Sequence, residues 1–156
     1  TYTYIYGAKP ADFSKHAYVA RTATGMSGEW QYFNGSGWSD EEADATVVFT
    51  DVSEQFTVFK QEGSYYLLSQ NNLFGYEIFL SNISGPTGAI VDKKVIYCTP
   101  ESTGDIFTYN ALAHPQVYQD SLLISYNVNS FDFNDLLQDV NNYRPYFIRV
   151  GNWQNQ

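Results

Sequence analysis

The sequence predicts an all-β fold, and three observations carry that expectation. Aromatic residues make up 18% of the 156-residue chain, with 14 Tyr, 11 Phe and 3 Trp. Such residues, like the β-branched ones, suit the pleated, half-buried surface of a sheet. Runs of period-two alternation recur between turn residues, and they return in the same order at a spacing of about 50 residues.

TYTYIYG at 1–7 alternates Tyr and Thr before a closing Gly, a strand pattern. KHAYVART at 15–22 is a second strand, and GEWQYFNGSGW at 28–38 is a third that ends on a glycine-rich turn. The acidic stretch 39–44 lacks the interspersed glycine of a calcium loop and reads as a solvated connector. It leads to TVVFT, a fourth strand, at 46–50. The order returns in FTVFK at 56–60, SYYLLSQ at 64–70, GYEIFLS at 75–81 and KKVIYC at 93–98. It returns again in HPQVY at 114–118, a tight turn at Gln119-Asp120, SLLISYN at 121–127 and RPYFIRV at 144–150. Pro115 has no N–H for a ladder, so it belongs at a strand's first residues or on an edge. The helical exception is NDLLQDV at 134–140, where Asn134 caps a single turn whose Leu136, Leu137 and Val140 fold back on the sheet.

Setting AYVAR, YYLLSQ and LLISYN in register, and likewise EWQYF, YEIFLS and PYFIRV, divides one domain into repeats at 1–53, 54–109 and 110–156. A period of about 50 residues holding about four short strands is that of propeller blades. Propellers close with about four to eight blades. The expected fold is therefore an all-β partial propeller of about three four-stranded antiparallel blades, completed by a missing segment or a partner chain. A β-sandwich is the alternative.

The formal charge is −9, with scattered bases, which disfavours a phosphate backbone as partner. No apolar run approaches the roughly 20 residues that span a bilayer, and the N-terminal residues lack the basic and apolar regions of a signal peptide. The chain could still be the mature or excised part of a secreted protein. The lone Cys98 excludes an internal disulfide and reads as a small buried hydrophobe. Asn34 and Asn82 stand in glycosylation sequons.

The stretch 108–129, TYNALAHPQVYQDSLLISYNVN, places Tyr109, Asn110, His114, Tyr126, Asn127 and Asn129 at the ends of neighbouring strands, where sites commonly sit. An imidazole is both a ligand and a core polar group, so His114 has a functional and a structural reading. Zinc would need three or four side-chain ligands, whereas a hard cation such as calcium would draw on carbonyls and waters. Glycoside hydrolysis needs two carboxylates flanking the bond. Glu77 stands out in the apolar run GYEIFLS, and Asp132 and Asp135 lie in the excursion before the last strand. Arg21, at the end of AYVAR, can bind a carboxylate or sugar hydroxyls, or hold two blades together. Trp30 and Trp38 are a candidate sugar platform or packing residues.

In the order YIYG, YVAR, EWQYFNGSGWS, SGPTG, YNALAHPQV, LLISYNVN and YRPYFIRV, the chain resembles the carboxy-terminal half of a family of bacterial and fungal five-bladed propellers of unknown function. Some members look like endo-acting arabinan hydrolases. The resemblance implies a secreted, carbohydrate-active segment that binds a polysaccharide or oligosaccharide at the channel mouth, with Tyr109, Asn110, His114, Tyr126, Asn127 and Arg21 as binding residues. It implies arabinanase-like glycoside hydrolysis when the propeller is complete, and a metal or water held by His114; Glu77, the candidate acid, is read from its apolar strand, where alternation could equally point it at solvent. The alternative is a non-catalytic structural or interaction subunit of an extracellular assembly.

Overall fold

A computed structural model of the chain describes residues 1–72, 74–117 and 120–155. They form an all-β fold of antiparallel sheets taken up in chain order. The first sheet holds β1 (Tyr2–Ala11), β2 (Ser14–Ala23), β3 (Gln31–Phe33), β4 (Trp38–Ser39) and β5 (Phe49–Val52). β2 pairs with β1 along its whole length. On its other side it pairs with β5 near Lys15 and Ala17 and with β3 at Ala20 and Arg21, so two short strands share one place in the sheet.

The second sheet is a meander of β6 (Thr57–Gln61), β7 (Ser64–Gln70), β8 (Glu77–Ile83) and β9 (Ile90–Cys98). Its first hairpin turns on Glu62 and Gly63, at φ 50° and 87°, the left-handed pair that matches the twist of the flanking strands. The third sheet contains β10 (Ile106–Ala113), β11 (Ser121–Ser130) and β12 (Pro145–Gly151). Among the described residues no helix is long and apolar enough to cross a membrane.

β7 explains the layering. Successive strand residues point to opposite faces, yet Leu67 and Leu68 are both buried, so the middle sheet is covered on both sides. Leu67 and Ile83 pack with Ala17, Phe49 and Val52 of the first sheet. Tyr66, Leu68, Ile78 and Leu80 pack with Ala111, Leu122, Ile124 and Val128 of the third. Trp153 closes this second core in an edge-on contact with Tyr66, ring centroids 4.8 Å apart. Each fully buried aliphatic side chain contributes about 1.5–3 kcal/mol.

Four expectations are corrected. The described part of HPQVY, residues 114–117, is not a strand: the ladder ends at Ala113, and Pro115–Val117 form a 3₁₀ turn that needs no N–H from the proline. Tyr118 and the Gln119 half of the expected turn lie outside the described residues. The strand that precedes this turn, β10, was hidden in the sequence because a bulge between Tyr109 and Leu112 breaks its alternation. The helical turn α1 (Phe133–Gln138) is capped by Asp132, whose carboxylate accepts from the Asn134 N–H at 2.9 Å, and not by Asn134. Leu137 and Val140 do not fold back, being 72% and 73% exposed. Cys98 is exposed at the end of the edge strand β9 rather than buried.

Candidate functional site

Strand alternation divides the residues expected to form one cluster. In β11, Leu122, Ile124, Tyr126 and Val128 face the middle sheet, which leaves Ser125, Asn127 and Asn129 on the opposite side. Tyr126 is 1% exposed, stacks on Tyr146 with centroids 5.8 Å apart, and donates its hydroxyl to Glu101 Oε2 at 3.0 Å. Burial, and then hydrogen bonding to Glu101 and Tyr97, pushes its phenol far above the ordinary tyrosine value. On the other side, His114 Nε2 lies 2.8 Å from Ser125 Oγ, and its ring centroid is 6.2 Å from that of Phe147. Among the described residues no group of three or more His, Cys, Asp or Glu could hold a metal ion. Tyr109 and Asn127 are register partners and border a recess of about 200 Å³ with Arg144 and Pro145.

Tyr109 and Asn110 also border a larger cleft, of about 470 Å³, to which all three sheets contribute. The first sheet and its exit loop supply Lys15, Ser53 and Glu54; the end of β7 and the loop beyond it supply Gln70, Asn71, Asn72 and Phe74; β10 supplies Thr108, Tyr109 and Asn110. β10 meets this cleft beside its bulge, where Asn110 takes the left-handed backbone, φ 57°, that asparagine tolerates. The exit loop is pinned to β7 by the Ser53 N–H, which donates to Ser69 Oγ at 2.8 Å, and by the Gln70 N–H, which donates to Ser53 Oγ at 3.2 Å.

A directed chain of hydrogen bonds orients Gln70. The Tyr76 carbonyl can only accept, so the Thr99 hydroxyl donates to it at 3.2 Å. The Thr108 hydroxyl then donates to Thr99 at 2.6 Å, and Gln70 Nε2 donates to Thr108 at 2.8 Å and to the Gly75 carbonyl at 3.1 Å. The amide is thereby fixed with its nitrogen toward β10, and its buried Oε1 has no hydrogen-bond partner among the described residues.

The charged groups in and around the cleft have partners. Lys15 and Glu54 form an ion pair across its rim. Asn71 donates to Glu77 Oε2 at 2.7 Å, and Asn72 donates to Asp51 Oδ1 at 2.8 Å. Glu77 therefore stands behind Asn71, at the start of β8, rather than in the lining.

The other expected site residues lie elsewhere. Arg21 is held between the rings of Tyr2 and Trp38, 4.1 Å from each centroid, and donates through Nε and Nη2 to Gln31 Oε1. Trp38 also packs on Tyr4 and Phe33, and Trp30 is half-buried just before β3. Asp132 caps α1, and Asp135 accepts from Ser130 Oγ at 2.7 Å. Sequence reasoning missed Ser53, Gln70, Asn71, Asn72, Phe74 and Thr108. The available signal was SQNN at 69–72, a polar run that follows YYLL without a turn residue between them.

A family model described as "Domain of unknown function (DUF5005)" matches residues 1–153. A solved structure from Bacteroides ovatus, described as a "putative hydrolase", superposes with a TM-score of 0.77 at 26% identity. The match covers 98% of this chain and 42% of that one, so the chain spans less than half the length of the solved protein. No curated protein matches the chain.

Proposed function

We propose that this chain, which belongs to the DUF5005 family, is the glycan-binding part of a carbohydrate-active, hydrolase-like protein, and that the glycan lies in the cleft where the three sheets meet. One observation carries this reading: the cleft gathers neutral hydrogen-bonding side chains from all three sheets, with an aromatic ring, Phe74, at its edge. Ser, Thr, Asn, Gln and Tyr supply the donors and acceptors that sugar hydroxyls need. The chain's charge of −9 and the paired state of Lys15 disfavour an anionic ligand.

The likeness to a larger hydrolase-like structure supports assigning hydrolysis to the longer assembly. A glycosidase needs two carboxylates. The acid among the described lining residues is Glu54, and it is paired with Lys15. Two successive face-to-face sheet packings support a partial propeller with repeats at 1–53, 54–109 and 110–156, completed by a further segment or a second copy. An extracellular location follows from the same reading, because that is where polysaccharides are met.

Calorimetric titration with neutral oligosaccharides tests the proposal. Binding is expected to be nearly independent of salt, since no ion pair forms with the ligand. Asn72→Ala, which removes an exposed amide, is expected to weaken it by about 1 kcal/mol. If no neutral glycan binds, or if binding survives both Asn72→Ala and Tyr109→Ala unchanged, the cleft is not the site.

A further inference from the structure

We infer that the ligand is a linear oligosaccharide of several units, running from the three-sheet cleft across Phe74 into a second cleft beside it, with Phe74 stacking on a sugar face. This rests on the glycan reading above and extends it to the length of the ligand. The second cleft, of about 380 Å³, lies between the loop that carries Ser102 and Thr103 and the rings of Phe74, Phe107 and Phe131. Phe74 borders both clefts, so its ring is the wall they share. Each volume is within the range of about 300–1,000 Å³ usual for a small-molecule site. Two such compartments in series suit a chain better than a single sugar.

The chemistry alternates in the way an oligosaccharide does. Sugar rings present hydroxyls at their edges and C–H groups on their faces, and the positive C–H groups are attracted to the negative face of an aromatic ring. The first cleft offers amides and hydroxyls, the junction offers a ring, and the second cleft offers the hydroxyls of Ser102 and Thr103 beside further rings.

Phe74 is also held in an unusual state. Its φ is 62°, a backbone conformation that a bulky side chain rarely adopts, and half of its surface is in solvent. Edge-on contacts with Phe107 at 4.5 Å and Phe131 at 5.2 Å fix the plane of the ring. Residues held in such regions cluster at active sites and ligand clamps.

The test is calorimetric titration of the intact protein with xylose, arabinose and glucose and with the linear hexasaccharide of each. In at least one series the hexasaccharide is expected to bind about tenfold tighter than its monosaccharide. Phe74→Asn removes the ring but tolerates the left-handed backbone. It is expected to abolish that gain with length, and Phe74→Trp is expected to restore it. Equal affinity for monosaccharide and hexasaccharide overturns the extended site and leaves the glycan proposal standing. So does a length dependence that Phe74→Asn does not alter, as when another protein segment covers the ring. Absence of all sugar binding overturns both.

Discussion

The amide of Gln70 is oriented by the Gly75 carbonyl, to which it donates, and by that of Tyr76, through the hydroxyls of Thr108 and Thr99. Gln70→Glu replaces the donating nitrogen with an oxygen facing the Gly75 carbonyl and Thr108, and is expected to lose about 3 kcal/mol at neutral pH, as an unpaired buried charge does. Burial raises such a carboxyl's pKa. The variant's deficit is therefore smallest below the unfolded glutamate value of about 4.3 and grows as pH rises through the folded value. Urea unfolding of both proteins at pH 4 and pH 7 reads the difference, and equal stabilities would show that the relay does not fix the amide. Tyr6 and Tyr126 give a second pH signature. Burial is the first cause of both raised values, and the Tyr6 hydroxyl donates to the Pro86 carbonyl at 2.7 Å. Stability is therefore fully present below the unfolded tyrosine value of about 10 and is lost as pH rises above it. Tyr6→Phe is expected to cost about 1 kcal/mol at pH 7 and to flatten the alkaline loss, measured as melting temperature against pH.

Among the elements, β7 and α1 are opposites in burial. Leu68 is fully enclosed between the second and third sheets, and Leu68→Ala is expected to destabilise by about 2–5 kcal/mol. Leu137→Ser, on the exposed side of α1, is expected to change stability by less than about 0.5 kcal/mol. Denaturant midpoints of the two variants check the contrast, and a large effect at Leu137 would mean that α1 is covered in solution. The edge strand β9 is guarded. Lys93 sits 3.7 Å from Asp51 and over the ring of Phe79, and register shifts opposite Phe79 and Ile83 twist the strand away from a flat edge.

At the scale of the whole molecule the sheet stack is covered in the middle and open at its ends. Phe147 of β12 is exposed on the outer side of the third sheet, and Phe131, Phe133, Leu137, Val140 and Tyr143 are exposed around α1. An apolar surface of that extent on a stable protein marks an interface. Association is expected through these faces. The isolated chain is expected to self-associate as its concentration rises, and Phe133→Ser combined with Leu137→Ser is expected to reduce that association. Sedimentation equilibrium measures both, and a wild-type chain that stays monomeric at high concentration would show that these side chains need no cover.

The sequence by itself determined the all-β class and most of the strands. SYYLLSQ at 64–70 coincides with β7, and TYTYIYG, KHAYVART, SLLISYN and RPYFIRV fall on β1, β2, β11 and β12. Alternation is a local property, because neighbouring strand residues point to opposite faces whatever surrounds them. What the tertiary structure alone decided was which face is covered and which polar groups meet. Tyr126 and Asn127 are adjacent in the sequence but lie on opposite faces of β11, whereas Gln70 and Thr108 are 38 positions apart and bonded. Glu77 stands out as a charge in an apolar strand and Arg21 as a charge at a strand's end, but the partners that occupy them, Asn71 for one and Gln31 with two rings for the other, are set by loops and register. The three-sheet cleft was not legible, because it exists only where the exit of the first sheet, the end of β7 and the bulge of β10 converge. Sheet packing brings those segments together, and no pattern within any one of them encodes the meeting.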